Sequence, residues 1–180
     1  MAVDASEINI RRAEAGEENT LSVIGAATFL EAFTFDIKGP ALVAHCQSQH
    51  STDVYRTYLE AADPRYACWI AEYAPTGAPI GYAVTCPPDL PVEVGDNDIE
   101  LKRIYVFSRF HGTRAGKTLN AQVNAHAKAL NCPRIFLGTY EENHRAIAFY
   151  KRAGYRLAGT RQFQVGDEIY DDIVMAMALV

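Results

Sequence analysis

A change of hydrophobic period between residues 99 and 130 restricts this chain more than any other feature. IELKRIYVF (99–107) is the most strand-like stretch in the sequence. AGKTLNAQVNAHAKAL (115–130) instead sets Ala115, Leu119, Val123, Ala127 and Leu130 on one helical face. Only SRFHGTR (108–114) lies between them. A strand that passes almost directly into a helix requires a sheet with helices packed on it, so an α/β class follows. The first N–H groups of a helix are unpaired and the helix dipole adds positive charge there. With Gly112 and Gly116 letting the backbone approach closely, the loop is built to hold a phosphate.

GTRAGKT (112–118) is close to the nucleotide-binding loop G-x-x-x-x-G-K-[ST], but five steps back from Gly116 stands His111 rather than glycine. Such loops also need an acidic residue closing a later strand to hold magnesium, and RIFLGTY (134–140) ends without one. The phosphate reading is kept and the NTPase reading is disfavoured.

Elsewhere the periodicity predicts a strand over 8–14, a helix over 17–33 and a chain break at Gly39-Pro40. Two short helical pieces, 41–50 and 52–63, should follow, the second opened by the capping candidates Ser51 and Thr52. Strands are expected at 66–74 and 79–86, then an exposed loop at 87–98 bearing three prolines and four acids. After the 134–140 strand, a helix should end on Gly154 as its C-terminal cap. Two last strands should flank the turn Gly166-Asp167. No repeat or linker interrupts this order, so one domain is expected over 1–180 with its core over 8–178.

A net charge of −5 argues against a nucleic-acid partner, which needs a basic footprint. The four cysteines are widely spaced and the five histidines lack ligand spacing, so neither a disulfide framework nor a metal is called for and a reducing cytoplasm is expected. MAVDASEINI has no basic start or apolar run, and no segment has the roughly 20 apolar residues of a membrane span. No membrane partner is expected.

The strand–loop–helix followed by a strand and ENHRAIAFYKRAGY resembles the GNAT superfamily of acetyl-CoA-dependent N-acetyltransferases. The family's loop Q/R-x-x-G-x-G/A falls on His111-Gly-Thr-Arg114-Ala-Gly116, with the final glycine matched and His111 and Arg114 departing from the pattern. The segment N-x-x-A-x-x-F-Y-x-x-x-G-F/Y is matched at Asn143, Ala146, Phe149, Tyr150, Gly154 and Tyr155. The tail FQVGDEIYDDIVMAMAL looks like that of bacterial relatives that include polyamine acetyltransferases.

The resemblance implies a mixed, mostly antiparallel central sheet with helices on both faces. It also implies acetyl-CoA as cosubstrate, without metal, and a primary amine of a small-molecule acceptor, polyamine-like among the options. It assigns the cofactor clamp to Ile104, Tyr105 and Val106, to the loop residues His111, Gly112, Thr113, Arg114, Ala115, Gly116, Lys117 and Thr118, and to Asn143 and Tyr150. The strand holding 104–106 should splay from its neighbour and offer free backbone groups to the pantetheine. Arg114 is expected to sit in a backbone conformation that does not require glycine and to meet a phosphate with its charge; a distorted loop is the alternative.

Tyr150 is the expected general acid, since a phenol is mostly protonated at neutral pH and can donate to a leaving thiolate. Glu100 is the expected base, acting through water, and would border the acceptor. Phe29 and Phe33, four apart on one helical face, should line the acceptor site, and the acids of 89–100 could attract a cationic acceptor. A non-catalytic acyl-CoA-binding module of the same fold is the rival from a different class. A monomer and a homodimer are equally compatible with the sequence.

Overall fold

Strands and helices follow one another as the hydrophobic periods predict. The order is β1 (Ile8–Arg12), α1 (Glu18–Phe33), α2 (Gly39–Gln49), α3 (Thr52–Leu59), β2 (Ala67–Tyr73), β3 (Ala78–Cys86) and β4 (Ile99–Val106). Then come α4 (Ala115–Ala129), β5 (Arg134–Tyr140), α5 (His144–Ala153), β6 (Arg156–Val165) and β7 (Glu168–Ala178). The structure, a computed structural model, describes residues 4–179. Gly39-Pro40 opens α2 instead of breaking the chain ahead of it, because a proline in the first turn lacks only an N–H that would have no helical partner.

The strands form one sheet in the order β1-β2-β3-β4-β5-β7-β6. Every neighbouring pair is antiparallel except β4–β5. In β2, Ala67, Trp69 and Ala71 face a core shared with α4 and α5, whereas Cys68 and Ile70 face α1 and α3. Both faces of the central strands are therefore covered, which is why ACWIA reads as a continuous apolar run without alternation.

Two irregularities set up the centre of the sheet. The β3–β4 register slips, with Val84 opposite Arg103 and Thr85 opposite Leu101, so Lys102 is an extra residue on β4. Beyond it the alternation is reversed: Ile104 and Val106 join Ile99 and Leu101 on the α4 side, and Arg103 and Tyr105 turn toward α1 and α3. On the other side, β4 pairs with β5 at only Ile99↔Ile135 and Glu100↔Phe136. The strands then part, as expected of the splay. Gly81 makes the compensating close approach, since a Cβ there would fall 2.6 Å from the Tyr105 carbonyl oxygen.

The 87–98 loop is less exposed than expected. Leu90 is buried against Phe136 and Val174. Asp98 is buried, ion-paired to Arg134 at 2.7 Å, and accepts the Gly95 N–H at 2.6 Å. Those contacts hold the loop across β5 and β7.

Candidate active site

The parting of β4 from β5 opens a cleft of about 680 Å³ that runs from the 111–117 loop and α5 at one end to α1 and α2 at the other. Seven arginines and lysines line it against two acids, Glu31 and Asp172, so it is strongly basic inside an acidic protein. Glu31 is already engaged, accepting the Ser108 N–H and hydroxyl at 2.9 Å each, which fixes the C-terminal end of α1 to the start of the loop.

In the loop half, Gly112 has φ +86 and a Cβ on it would meet nothing within 4 Å. A Cβ on Gly116 would reach only the Phe149 ring edge, at 4.0 Å. Both bare backbones thus face open space, a cradle into which side chains would intrude without improving the fold. Lys117, Arg145 and Arg152 add charge around it; the two α5 arginines were not anticipated, although with Phe149 between them they form an i, i+4, i+7 stripe visible in HRAIAFYKRA.

Arg114 corrects an expectation. Its φ is +74 and ψ −5, the left-handed conformation, so it occupies the backbone geometry for which glycine is suited. His111 acts as a strut: its Nε2–H donates to the Val106 carbonyl at 2.8 Å, tying the loop to the end of β4. Burial, with Arg145 nearby, lowers its pKa. Thr113 and Thr118 fall outside the cleft lining. The Thr113 hydroxyl donates to the Phe110 carbonyl at 2.6 Å, and Thr118 is exposed on α4.

Ile104, Tyr105 and Val106 all line the cleft. Phe107 donates its N–H to the Ile80 carbonyl. In an antiparallel pair alternate residues bond to the partner strand, so Ile104 and Val106 turn their backbone groups to the side that β5 has vacated. Asn143 also lines the cleft while capping α5, its Oδ1 accepting the Ala146 N–H at 3.1 Å.

Tyr150 stands at the parting of the strands, 8% exposed, with ring neighbours Phe149 and Tyr155. Its hydroxyl has no protein hydrogen-bond partner among the described residues, and it lines the cleft. Burial, with smaller contributions from Tyr105 and Tyr155, raises its pKa far above the ordinary phenol value. Such a group is a proton donor at any physiological pH.

The other half is aromatic. Phe29 and Phe33 both line it with ring centroids 4.5 Å apart, and His45 stacks on Phe29 at 4.4 Å. His50 Nδ1 and the Tyr55 hydroxyl are 2.8 Å apart. Gly25 makes room for that pair, because a Cβ on it would overlap both. Burial, then the charges of Arg103 and His45, push His50 down to about 3.

Glu100 is not in this lining. It is 1% exposed, accepts the Asp89 N–H at 2.9 Å and lies 3.4 Å from Lys102 Nζ. The 87–90 segment covers it, and the acid-rich loop is held away from the cleft. The second carboxylate of the cleft lining beside Glu31, Asp172, was overlooked. Arg161 Nε donates to its Oδ2 at 2.9 Å and Nη2 lies in ion-pair contact with the same oxygen at 2.9 Å, and its Oδ1 has no protein hydrogen-bond partner among the described residues. Burial raises the Asp172 pKa despite Arg161. Gly138 on β5 permits this pair, since a Cβ there would lie 2.5 Å from the Arg161 guanidinium carbon. An acid at an inward position between Tyr170 and Val174 on a strand was the signal available in the sequence.

Comparison with known proteins bears on this geometry. The sequence profile described as the Acetyltransferase (GNAT) family matches residues 30–155. An uncharacterised N-acetyltransferase of Mycobacterium tuberculosis is 30% identical over 164 residues, 91% of this chain and 99% of that protein. A spermine/spermidine N(1)-acetyltransferase of Bacillus subtilis is 34% identical over 64 residues, 35% of this chain and 42% of its own. Among solved structures, the PaiA N-acetyltransferase of Thermoplasma acidophilum, in complex with coenzyme A, superposes with a TM-score of 0.75 at 16% identity over 95% of this chain and 98% of that one.

Proposed function

Because the chain belongs to the GNAT family of acetyltransferases, we propose that it moves an acetyl group from acetyl-CoA directly to a primary amine of a small-molecule acceptor. The observation that supports this best is the meeting, at one opening, of the Ile104 backbone groups and the Val106 N–H on the side that β5 leaves, the Tyr150 hydroxyl and the glycine-bearing basic loop.

The cosubstrate supplies a thioester carbonyl open to attack by an amine. This chain's residues then have four tasks. Gly112, Gly116, Arg114, Lys117, Arg145 and Arg152, all in the cleft lining, would hold phosphates, as charged donors and close backbone do. The N–H of Ile104 or Val106 can polarise the carbonyl oxygen as an oxyanion donor. Asp172, only 4% exposed but part of the cleft lining, offers Oδ1 as the acceptor for a proton from the acceptor ammonium, a role that Glu100, outside that lining, does not reach. Tyr150 gives its proton to the departing thiolate.

A thiol-release assay with acetyl-CoA across amino acids, polyamines, aminoglycosides and peptide N-termini tests the activity. Saturable release with at least one amine is expected. Binding of CoA without release with any of them would favour the acyl-CoA-binding module instead.

Arg114 provides a separate check on the loop. Arg114→Gly should relieve the left-handed strain by about 1 kcal/mol and raise Tm by about 2–4 °C. It should also bind CoA more weakly, with less salt dependence, as a phosphate contact is lost. Arg114→Ala should weaken CoA binding similarly without the rise in Tm, because alanine shares the strain. Thermal melts and isothermal titrations at two salt concentrations decide this; an unweakened Gly variant would mean that the charge does not meet a phosphate.

A further inference from the structure

The acceptor half of the cleft contains a cation with no counter-ion. Arg103, turned by the β4 irregularity toward α1 and α3, has no carboxylate within ion-pair distance among the described residues, and its Nη1 is buried without a hydrogen-bond partner. Its guanidinium carbon lies 5.4 Å from the Tyr55 ring centroid and 5.7 Å from that of Tyr58. Aromatic faces attract a cation but do not neutralise it. The other charges near this half are accounted for. Lys102 is beside Glu100, Arg161 is bonded to Asp172, and Glu31 holds Ser108.

The uncompensated field extends into the cleft, where Arg103 contributes to lowering the pKa values of His45 and His50 after burial. Both histidines are therefore neutral near pH 7 and supply no second cation. A polyammonium acceptor would meet net positive charge here, and with Asp172 facing the reacting amine no further free acid among the described residues of the lining would bind its distal amine. A guanidinium left unpaired in a partly desolvated site is instead a ready partner for a planar anion. The surrounding walls, Phe29, Phe33, Tyr105, Phe163 and Tyr170, are aromatic.

We propose that Arg103 forms an anion subsite in this half of the cleft, and that the amine acetylated here carries a carboxylate on an apolar body, as an apolar or aromatic amino acid does. The acceptor assignment rests on the acetyl-transfer reading, whereas the anion subsite can be measured by binding alone.

The test uses CoA-loaded protein titrated with the N-acetyl derivatives of phenylalanine, leucine and 6-aminohexanoic acid, each beside its carboxamide. At least one acid should bind roughly tenfold or more tightly than its amide, the scale of one charge-assisted hydrogen bond. Arg103→Met should erase that ratio and Arg103→Lys should keep part of it, while CoA titration of each variant reports an intact clamp. Acids that never outbind their amides in the parent protein, whatever the variants do, overturn the subsite. Spermidine acetylated with a higher kcat/KM than every amino acid tested overturns the acceptor assignment. Acids that bind as expected without any thiol release would fault the acetyl-transfer reading and leave the subsite standing.

Discussion

Tyr150→Phe should lower kcat by roughly 10²–10⁴-fold, the usual worth of a positioned proton donor, while Tm and CoA affinity move little. The ring keeps its neighbours Phe149 and Tyr155, at centroid distances of 5.4 and 5.7 Å. Because the hydroxyl makes no hydrogen bond to any of the described residues, its removal leaves none of their buried groups unsatisfied. Loss confined to the chemical step would lower kcat and kcat/KM together. The raised pKa adds a second expectation: the parent enzyme should show no alkaline fall in rate from Tyr150 up to pH 10, since the phenol stays protonated there. Steady-state kinetics and one thermal melt check both. A variant that turns over at the parent rate with a lowered Tm would make Tyr150 a packing residue.

Asp172→Asn should slow turnover at neutral pH by about 10²-fold or more, and it should change the shape of the pH profile. Burial holds the Asp172 pKa above its ordinary 3.8. In the parent, kcat/KM should therefore fall as pH drops through that raised value, because the protonated acid can no longer accept a proton. The asparagine variant should lack this acid limb. Asparagine keeps the shape beside Arg161 but not the charge, so some loss of Tm is expected as well, and the limb, not the melt, is the deciding measurement. Glu100→Gln is the matched control and should retain the limb. A limb lost in Glu100→Gln and retained in Asp172→Asn would return the base to Glu100.

Much of the fold was legible because it depends on period and punctuation. The switch from IELKRIYVF to AGKTLNAQVNAHAKAL located β4 and α4, and Gly154, with φ +104, ends α5 where a left-handed cap was expected. In the candidate site, the close-approach backbone at Gly112 and Gly116 was readable from the residues themselves, whereas Asn143 came only from the family resemblance. Arg114 misled because a side-chain letter does not reveal its own φ. Glu100 lies outside the cleft and Asp172 within it for a tertiary reason: the 87–90 segment folds over the first, and the bare Gly138 leaves room for the Arg161 guanidinium that holds the second. Arg103 was hidden by the Lys102 irregularity, since an inserted residue inverts every facing position beyond it.

The two-pair contact between β4 and β5 gives this sheet a strand edge in its middle. Exposed edges ordinarily recruit foreign strands, and proteins blunt them with charge, proline or closure. Here the edge lines a cleft walled by the 111–117 loop, α5, α1 and α2, where a slender chain with amide groups of its own could run. A bound molecule of that kind would act as an eighth, non-peptide rung, lacing the β1–β4 half to the β5–β6–β7 half. On this view, occupancy of the cleft would tighten the whole sheet, and cohesion between its halves would follow the supply of the ligand that fills the gap.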